Sequence, residues 1–208
     1  MLNSKIIAEY DHIYEKLSNI DEMPKNLSGL TIAAVIIILV PRKSGTSIIM
    51  TSRSKKLNNH PGQMSFPGGK FDPDLDKSLQ DTALRETQEE IGLLPKEIQI
   101  LGHQKDFFNR TGFLIRPFVG YHKNPDSIKY IQNNSEVEEI VEIPLNFLLN
   151  ISKFEETLFL IGEKRVHSVY FNYLKPSNGH KFKIWGVSAR ILADFLIKIY
   201  DHKIFLPN

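Results

Sequence analysis

Gly68-Gly69-Lys70-Phe71-Asp72-Pro73, then Arg85-Glu86-Thr87-Gln88-Glu89-Glu90-Ile91-Gly92-Leu93, is the stretch that decides how this chain is read. A glycine loop opens a helical segment and a glycine closes it. At about 100° per residue, Glu86 and Glu90 lie about 40° apart, with Glu89 about 60° to the other side of Glu86. Three carboxylates therefore share one helix face. Such an oxygen-rich set suits a hard divalent cation, and a glycine backbone beside it lets a phosphate approach.

The cluster is costly for a helix with a purely structural task. Gly92 is the expected C-cap, so Glu89 and Glu90 fall in the last turn, where the macrodipole is already negative. Each anion there costs about 0.3–1 kcal/mol, and the like-charged Glu86/Glu90 pair adds a few tenths. Arg85, four residues before Glu89, offsets part of this. Ala83, Leu84, Thr87 and Ile91 are expected on the opposite face as a core stripe. A solvated acidic face is the ordinary explanation of such a helix. The order of glycine loop, Arg-Glu start and terminal glycine argues for a site instead.

With 208 residues, 41% of them hydrophobic, the chain can bury one sizeable core. One domain over 1–208 is expected, with 1–29 as an N-terminal helix and linker and 30–208 as the core. A formal net charge of +2 supplies no field for nucleic acid or a membrane surface. Cysteine is absent, which excludes disulfides and Cys-ligated zinc and is compatible with a cytoplasmic location. The seven histidines show no zinc-binding spacing. The longest apolar run, Leu30 to Val40, is about half a membrane span and reads as a buried strand.

Ile6, Ile7, Tyr10, Ile13, Tyr14 and Leu17 have helical spacing, and Asp21 to Gly29 reads as a polar linker. Strands are expected at Leu30–Val40 and Thr46–Thr51, joined through Pro41 to Gly45. A long loop, Ser52–Asp76, precedes the acidic helix, with Asp74, Asp76 and Ser78 as its candidate caps. Further strands are expected near Glu97–Gln104, Phe113–Tyr121, Val137–Ile143, Lys164–Phe171 and Lys181–Trp185. A short helix, Leu145–Leu149, and an amphipathic one, Val187–Tyr200, complete the pattern. Phe107, Phe108 and Trp185 are expected to pack rather than to stack on a ligand. Strands interleaved with helices predict an α/β protein, a mixed β-sheet between helices.

The segment Arg85 to Leu93 resembles the second half of the Nudix box, Gly-x5-Glu-x7-Arg-Glu-U-x-Glu-Glu-x-Gly-U. Three features depart from it. Thr87 replaces a bulky aliphatic, Lys77 with Asp76 beside it stands at the first acidic position, and the loop before Arg85 is longer. The carboxylate trio is intact. Upstream, Ile49-Met50-Thr51-Ser52-Arg53-Ser54 and His60-Pro61-Gly62-Gln63-Met64-Ser65-Phe66-Pro67-Gly68-Gly69 are similar to the signature of coenzyme A pyrophosphatases. Thr111-Gly112-Phe113, Glu136-Val137, Pro144-Leu145 and Ile184-Trp185-Gly186-Val187-Ser188-Ala189-Arg190 look like that subgroup too, whereas Asn58 stands where it usually has a basic residue.

The resemblance implies a Nudix-like α/β/α sandwich with a mixed β-sheet and an added N-terminal helix. It implies Mg²⁺ or Mn²⁺ held by Glu86, Glu89, Glu90 and Gly69, with Arg85 orienting the glutamates and Glu89 or Glu136 as general base. Arg53, His60, Gly62, Phe66, Lys70 and Thr111 are the implied substrate-binding residues, Arg53 foremost among the cations. The implied partner is a small coenzyme A-like nucleotide, not nucleic acid or a membrane, and a homodimer is compatible. The implied reaction is hydrolysis of the pyrophosphate of coenzyme A to 3′,5′-ADP and 4′-phosphopantetheine. Two other readings stand beside it: a Nudix pyrophosphatase for a nucleoside triphosphate or nucleotide sugar, and a non-catalytic Nudix-like binding module.

Overall fold

The computed structural model describes residues 4–24, 29–57, 61–109, 111–150, 154–161 and 164–202. Its centre is β1 (Thr31–Arg42), the apolar run, which pairs in parallel with β7 (Phe113–His122) from Thr31↔Phe113 to Leu39↔Tyr121. The even residues Ala34, Ile36, Ile38 and Val40 are buried under one layer, and the odd residues Ala33, Ile37 and Leu39 under another. A continuous apolar run is what a strand covered on both faces requires.

On the other edge of β1, a tight hairpin leads at Arg42↔Gly45 into β2 (Gly45–Arg53), which pairs with β8 (Val137–Pro144). The ladder therefore runs two residues further into the expected connection. Beyond Leu39↔Ile48 the two strands diverge, and the long loop fills the fork. Its β3 (Met64–Ser65) pairs with Thr51 and Ser52 of β2, and β4 (Gly68–Lys70) pairs with Ala33, Ala34 and Val35 of β1. The glycine loop is thus an inserted strand. β5 (Ile98–His103) and β6 (Phe107–Phe108) pair with β7 on its far side.

Helix α1 (Ser4–Lys16) buries Tyr10 and Ile13, with Leu17 buried just beyond its end, and leaves Ile7 and Tyr14 exposed. Helix α2 (Leu79–Ile91) covers the even face of β1; α1 and α4 (Gly186–Tyr200), with the short α3 (Leu145–Leu148), cover the odd face. This is the expected sandwich around a mixed sheet. A separate three-stranded sheet, β9 (Phe154–Ile161), β10 (Lys164–Leu174) and β11 (Lys181–Ile184), adds Val169, Phe171, Phe182 and Ile184 to the odd-face core. β9 has no counterpart among the expected strands. Among the described residues no helix is long and apolar enough to cross a membrane.

Candidate active site

Helix α2 begins where Ser78, one of the three candidate caps, accepts a hydrogen bond at Oγ from the Asp81 amide at 3.1 Å. It ends at Gly92, whose φ of 77° is left-handed and whose N–H reaches the Gln88 carbonyl. The next carbonyls are met from outside: the Asn133 amide donates to Glu90 O at 3.0 Å and the Ile131 amide to Ile91 O at 2.9 Å. That loop leads to Glu136 and, through the Ser54 amide on the Glu136 carbonyl at 2.8 Å, seats it beside the end of β2.

Asp76, another candidate cap, has a different task. Its buried carboxylate takes Arg85 Nε at 2.8 Å and Nη2 at 3.0 Å, with Thr82 Oγ1 at 2.9 Å and the Asp72 amide at 3.0 Å. Burial alone would raise the pKa of Asp76, but these bonds outweigh it and hold the carboxyl below its ordinary value. Lys77, by contrast, is exposed. Arg85 Nη1 donates to Glu86 Oε1 and Glu89 Oε2, both at 3.0 Å, and Nη2 to the Lys70 carbonyl at 3.2 Å. One guanidinium thus joins the loop, the helix and two of the three glutamates.

The glycines set the spacing between loop and helix. A Cβ on Gly68, at φ 143°, would lie 2.2 Å from Ala34 O. A Cβ on Gly69 would lie 2.3 Å from the Glu86 carboxyl carbon and 2.5 Å from each oxygen, so the Glu86 carboxylate rests against bare backbone. The Gly68 amide donates to Glu90 Oε2 at 3.4 Å.

Glu90 is only 6% exposed, whereas the Glu89 side chain is 50% exposed. The helical wheel accounts for this: Glu90 is seven residues from Ala83, hence within about 20° of it. The core stripe and the acidic face therefore meet at Glu90 instead of standing opposite, which corrects the sequence expectation. Thr87 is fully buried in the same stripe and satisfies its hydroxyl on the Ala83 carbonyl at 2.7 Å, which is how the helix accepts it there. Burial pushes the Glu90 carboxyl up to about 8; Glu86 and Glu136 push the same way, against the Gly68 amide and Arg53. Burial also raises Glu86, with Arg85 opposing and Glu89 and Glu136 adding to the rise.

The structure thus brings together Glu86, Glu89, Glu90, Gly69, Arg85, Glu136 and Arg53. Among the described residues, no three acidic or histidine side chains converge to metal-ligand geometry. Glu86 and Glu89 turn to Arg85, and Glu90 to the Gly68 amide. The donors are nonetheless all oxygen, two of them with raised pKa, and lie against a glycine backbone, which fits a hard cation.

Other expected site residues fall elsewhere. Lys70 is exposed and holds its ammonium 5.7 Å from the Phe113 ring centre. Gly62 lies in an exposed turn that donates its amide to Arg53 O. Thr111 is exposed in a turn closed on Asn109 Oδ1. Phe66 is buried and packs in the odd-face core. His60 and Asn58 lie outside the described residues. Phe107 packs as expected, but Phe108 and Trp185 are 57% and 45% exposed, which corrects their expected burial. Sequence reasoning missed the Asp76 and Gly68 contacts; the acidic residue nine before Arg85 was the available signal.

A model of the NUDIX domain matches residues 30–158. The chain belongs to the Nudix hydrolase family. It is 34% identical over 169 residues to the Nudix hydrolase NudL of Photorhabdus laumondii, covering 81% of this chain and 86% of that protein. It is 36% identical over 160 residues to NudL of Yersinia pestis, covering 77% and 75%. The MutT/nudix family protein of Enterococcus faecalis shares the fold, with a TM-score of 0.51 and 15% identity over 97% of this chain and 76% of that one. In this Nudix hydrolase, box helix and glycine strand are the two walls of the site.

Proposed function

We propose that this Nudix hydrolase splits the pyrophosphate of coenzyme A or a derivative in a reaction that depends on Mg²⁺ or Mn²⁺. The observation that carries the reading is the pair of carboxylates, half-buried Glu86 and buried Glu90, packed against the Gly68-Gly69 backbone with Arg85 alongside. Glu86, Glu89 and Glu90, with the Gly69 backbone, would hold the cation. Bound there, it would neutralise non-bridging phosphate oxygens and activate a water.

The protein's own residues do the rest. Arg85 orients Glu86 and Glu89 while Asp76 anchors it. Glu89 and Glu136 are the exposed carboxylates of the site, and one of them takes a proton as water oxygen bonds to phosphorus. The bridging P–O bond breaks, and 3′,5′-ADP and 4′-phosphopantetheine leave. The coenzyme A reading is supported by the upstream signature, which forms the end of β2 and the paired β3 and places Arg53 within electrostatic reach of Glu90.

Arg53 is expected to grip the 3′-phosphate. Arg53→Ala should lower kcat/KM for coenzyme A roughly ten- to a hundredfold more than for 3′-dephospho-coenzyme A, the yield of a charge-assisted bond of about 1.5–3 kcal/mol. Equal losses on both substrates would remove that role. A panel of coenzyme A, acyl-coenzyme A, ADP-ribose and dGTP with product analysis tests the whole reading. A wild type that prefers dGTP or ADP-ribose would overturn it in favour of another Nudix pyrophosphatase, and no turnover on any substrate would favour a binding module.

A further inference from the structure

The start of the segment expected to be a polar linker, and the residues just before it, are wired into the fold. Ser18 and His103 exchange backbone hydrogen bonds at 3.1 and 2.9 Å, and His103 Nε2 lies 2.8 Å from Ile20 O. The Asp21 carboxylate then divides between two elements. Oδ2 accepts from the Gln80 amide in the first turn of α2, and Oδ1 from Arg116 Nη1 on β7, each at 3.0 Å. Arg116 is buried; it also grips Asp106 at 2.8 and 2.9 Å and donates to the Glu22 carbonyl at 2.6 Å.

We propose that Asp21 is a positioning residue for the glutamate helix, tying the start of α2 to β7 through Arg116. The role rests on the reading that Glu86, Glu89 and Glu90 hold a divalent cation. Ser78 and Asp76 also bind the first half of α2, but both belong to the loop that leads into it. Asp21 reaches across to a central strand. Packing does not substitute for it on that side, because a cleft of about 370 Å³ lined by Asp21, Gln80, Leu84, Gln99, His103 and Phe118 separates the helix from β5.

The far end of α2 is held by Ile131 and Asn133 and Leu79 packs beneath its first turn, so loss of the Asp21 tether leaves that turn without its polar tie to β7. With the pivot at the Ile131 and Asn133 contacts, Glu86 lies four residues from Glu90, about 6 Å along the axis. A tilt of about 10° about that end shifts Glu86 against Glu90 by roughly 1 Å, more than the ~0.5 Å that a preorganised ligand set tolerates.

The test is a Mn²⁺ titration of the full-length protein without substrate, followed by electron paramagnetic resonance, with hydrogen exchange of the α2 amides. Asp21→Ala is expected to raise half-saturating Mn²⁺ at least tenfold and to speed exchange in the first turn of α2. Asp106→Ala removes a carboxylate from the same arginine without touching α2, and should leave half-saturation within about twofold. Equal Mn²⁺ binding by wild type and Asp21→Ala would overturn the positioning role, as would equal weakening by both variants. Should Asp21→Ala not fold, Asp21→Asn and Asp106→Asn are compared at equal folded fraction. A threefold or larger weakening confined to Asp21→Asn supports the role, and equality overturns it. A wild type that binds no Mn²⁺ would sink the metal reading itself, and the positioning role with it.

Discussion

Glu90 and Glu142 are glutamates placed in low-dielectric surroundings with opposite results. Glu142, on β8, receives Arg42 Nε at 2.9 Å and the Tyr130 hydroxyl at 2.6 Å. Burial pushes Glu142 up, but the hydrogen bonds of Arg42 and Tyr130 outweigh it and bring the carboxyl below its ordinary value. Glu90 has one long bond from the Gly68 amide, with Glu86 and Glu136 nearby, and is pushed up to about 8. A buried carboxylate is stable when a cation and hydrogen bonds come with it. The fold bonds both to Glu142 and, for a cation, offers Glu90 only the Arg53 charge at a distance. The difference separates a structural ion pair from a carboxylate of the proposed metal site.

The sharpest way to break this contrast is Glu90→Gln. Turnover with Mg²⁺ should fall at least tenfold and up to about a thousandfold, the range for losing one electrostatic group of a site. Metal-free stability should rise instead. In the folded protein Glu90 keeps its proton up to about pH 8, against an ordinary value of 4.5. The wild type therefore loses stability as pH climbs between those values, and the glutamine variant does not. Thermal melts of the two metal-free proteins should separate progressively from pH 5 to pH 8. Parallel melts, or a variant with wild-type turnover, would end the assignment.

Glu142→Gln should behave in the reverse way. A cost of about 1.5–3 kcal/mol is expected, several degrees of Tm at roughly 2–4 °C per kcal/mol for a chain of this size. Turnover per folded molecule should stay near wild type. The folded Glu142 carboxyl lies below 4.5, so its stabilisation is present above that pH and is lost as pH falls through the folded value. The two melting curves should converge in acid, and a gap that widened there would contradict the ion-pair reading.

Gly69→Ala sharpens the contrast with the smallest expected change. The added methyl meets the Glu86 carboxylate, a mobile side-chain end, and Gly69 has no positive φ. A loss of about tenfold in turnover, or 1.4 kcal/mol of barrier, is expected with little change in Tm. Unimpaired kinetics would show that contact of Glu86 with the bare backbone is dispensable.

Much of this was legible in the sequence because it depends on neighbours along one chain. The β1 run, Gly92 as a cap, the Ser78 start and the Glu86-Glu89-Glu90 spacing are local patterns with periods of 2 and 3.6. Less legible was what depends on distant partners. Asp76 could serve as a helix cap until Arg85 claimed it. Asp21 looked like linker until Gln80 and Arg116 shared it. Phe108 and Trp185 looked like packing residues, but Phe108 lies on the outer face of β6 and Trp185 caps α4 half-exposed.

The sequence by itself determined the helix, its acidic cluster and the family, since each rests on residue spacing that backbone periodicity converts directly into a shared face. Only the tertiary structure decided how far Glu90 is desolvated, that the glycine loop becomes a strand in the fork of β1 and β2, and that Asp21 bonds the first turn of the helix. Those outcomes depend on which surfaces exclude water and which donors arrive from far along the chain. Desolvation and long-range hydrogen bonding belong to the packed molecule, and no local pattern encodes them.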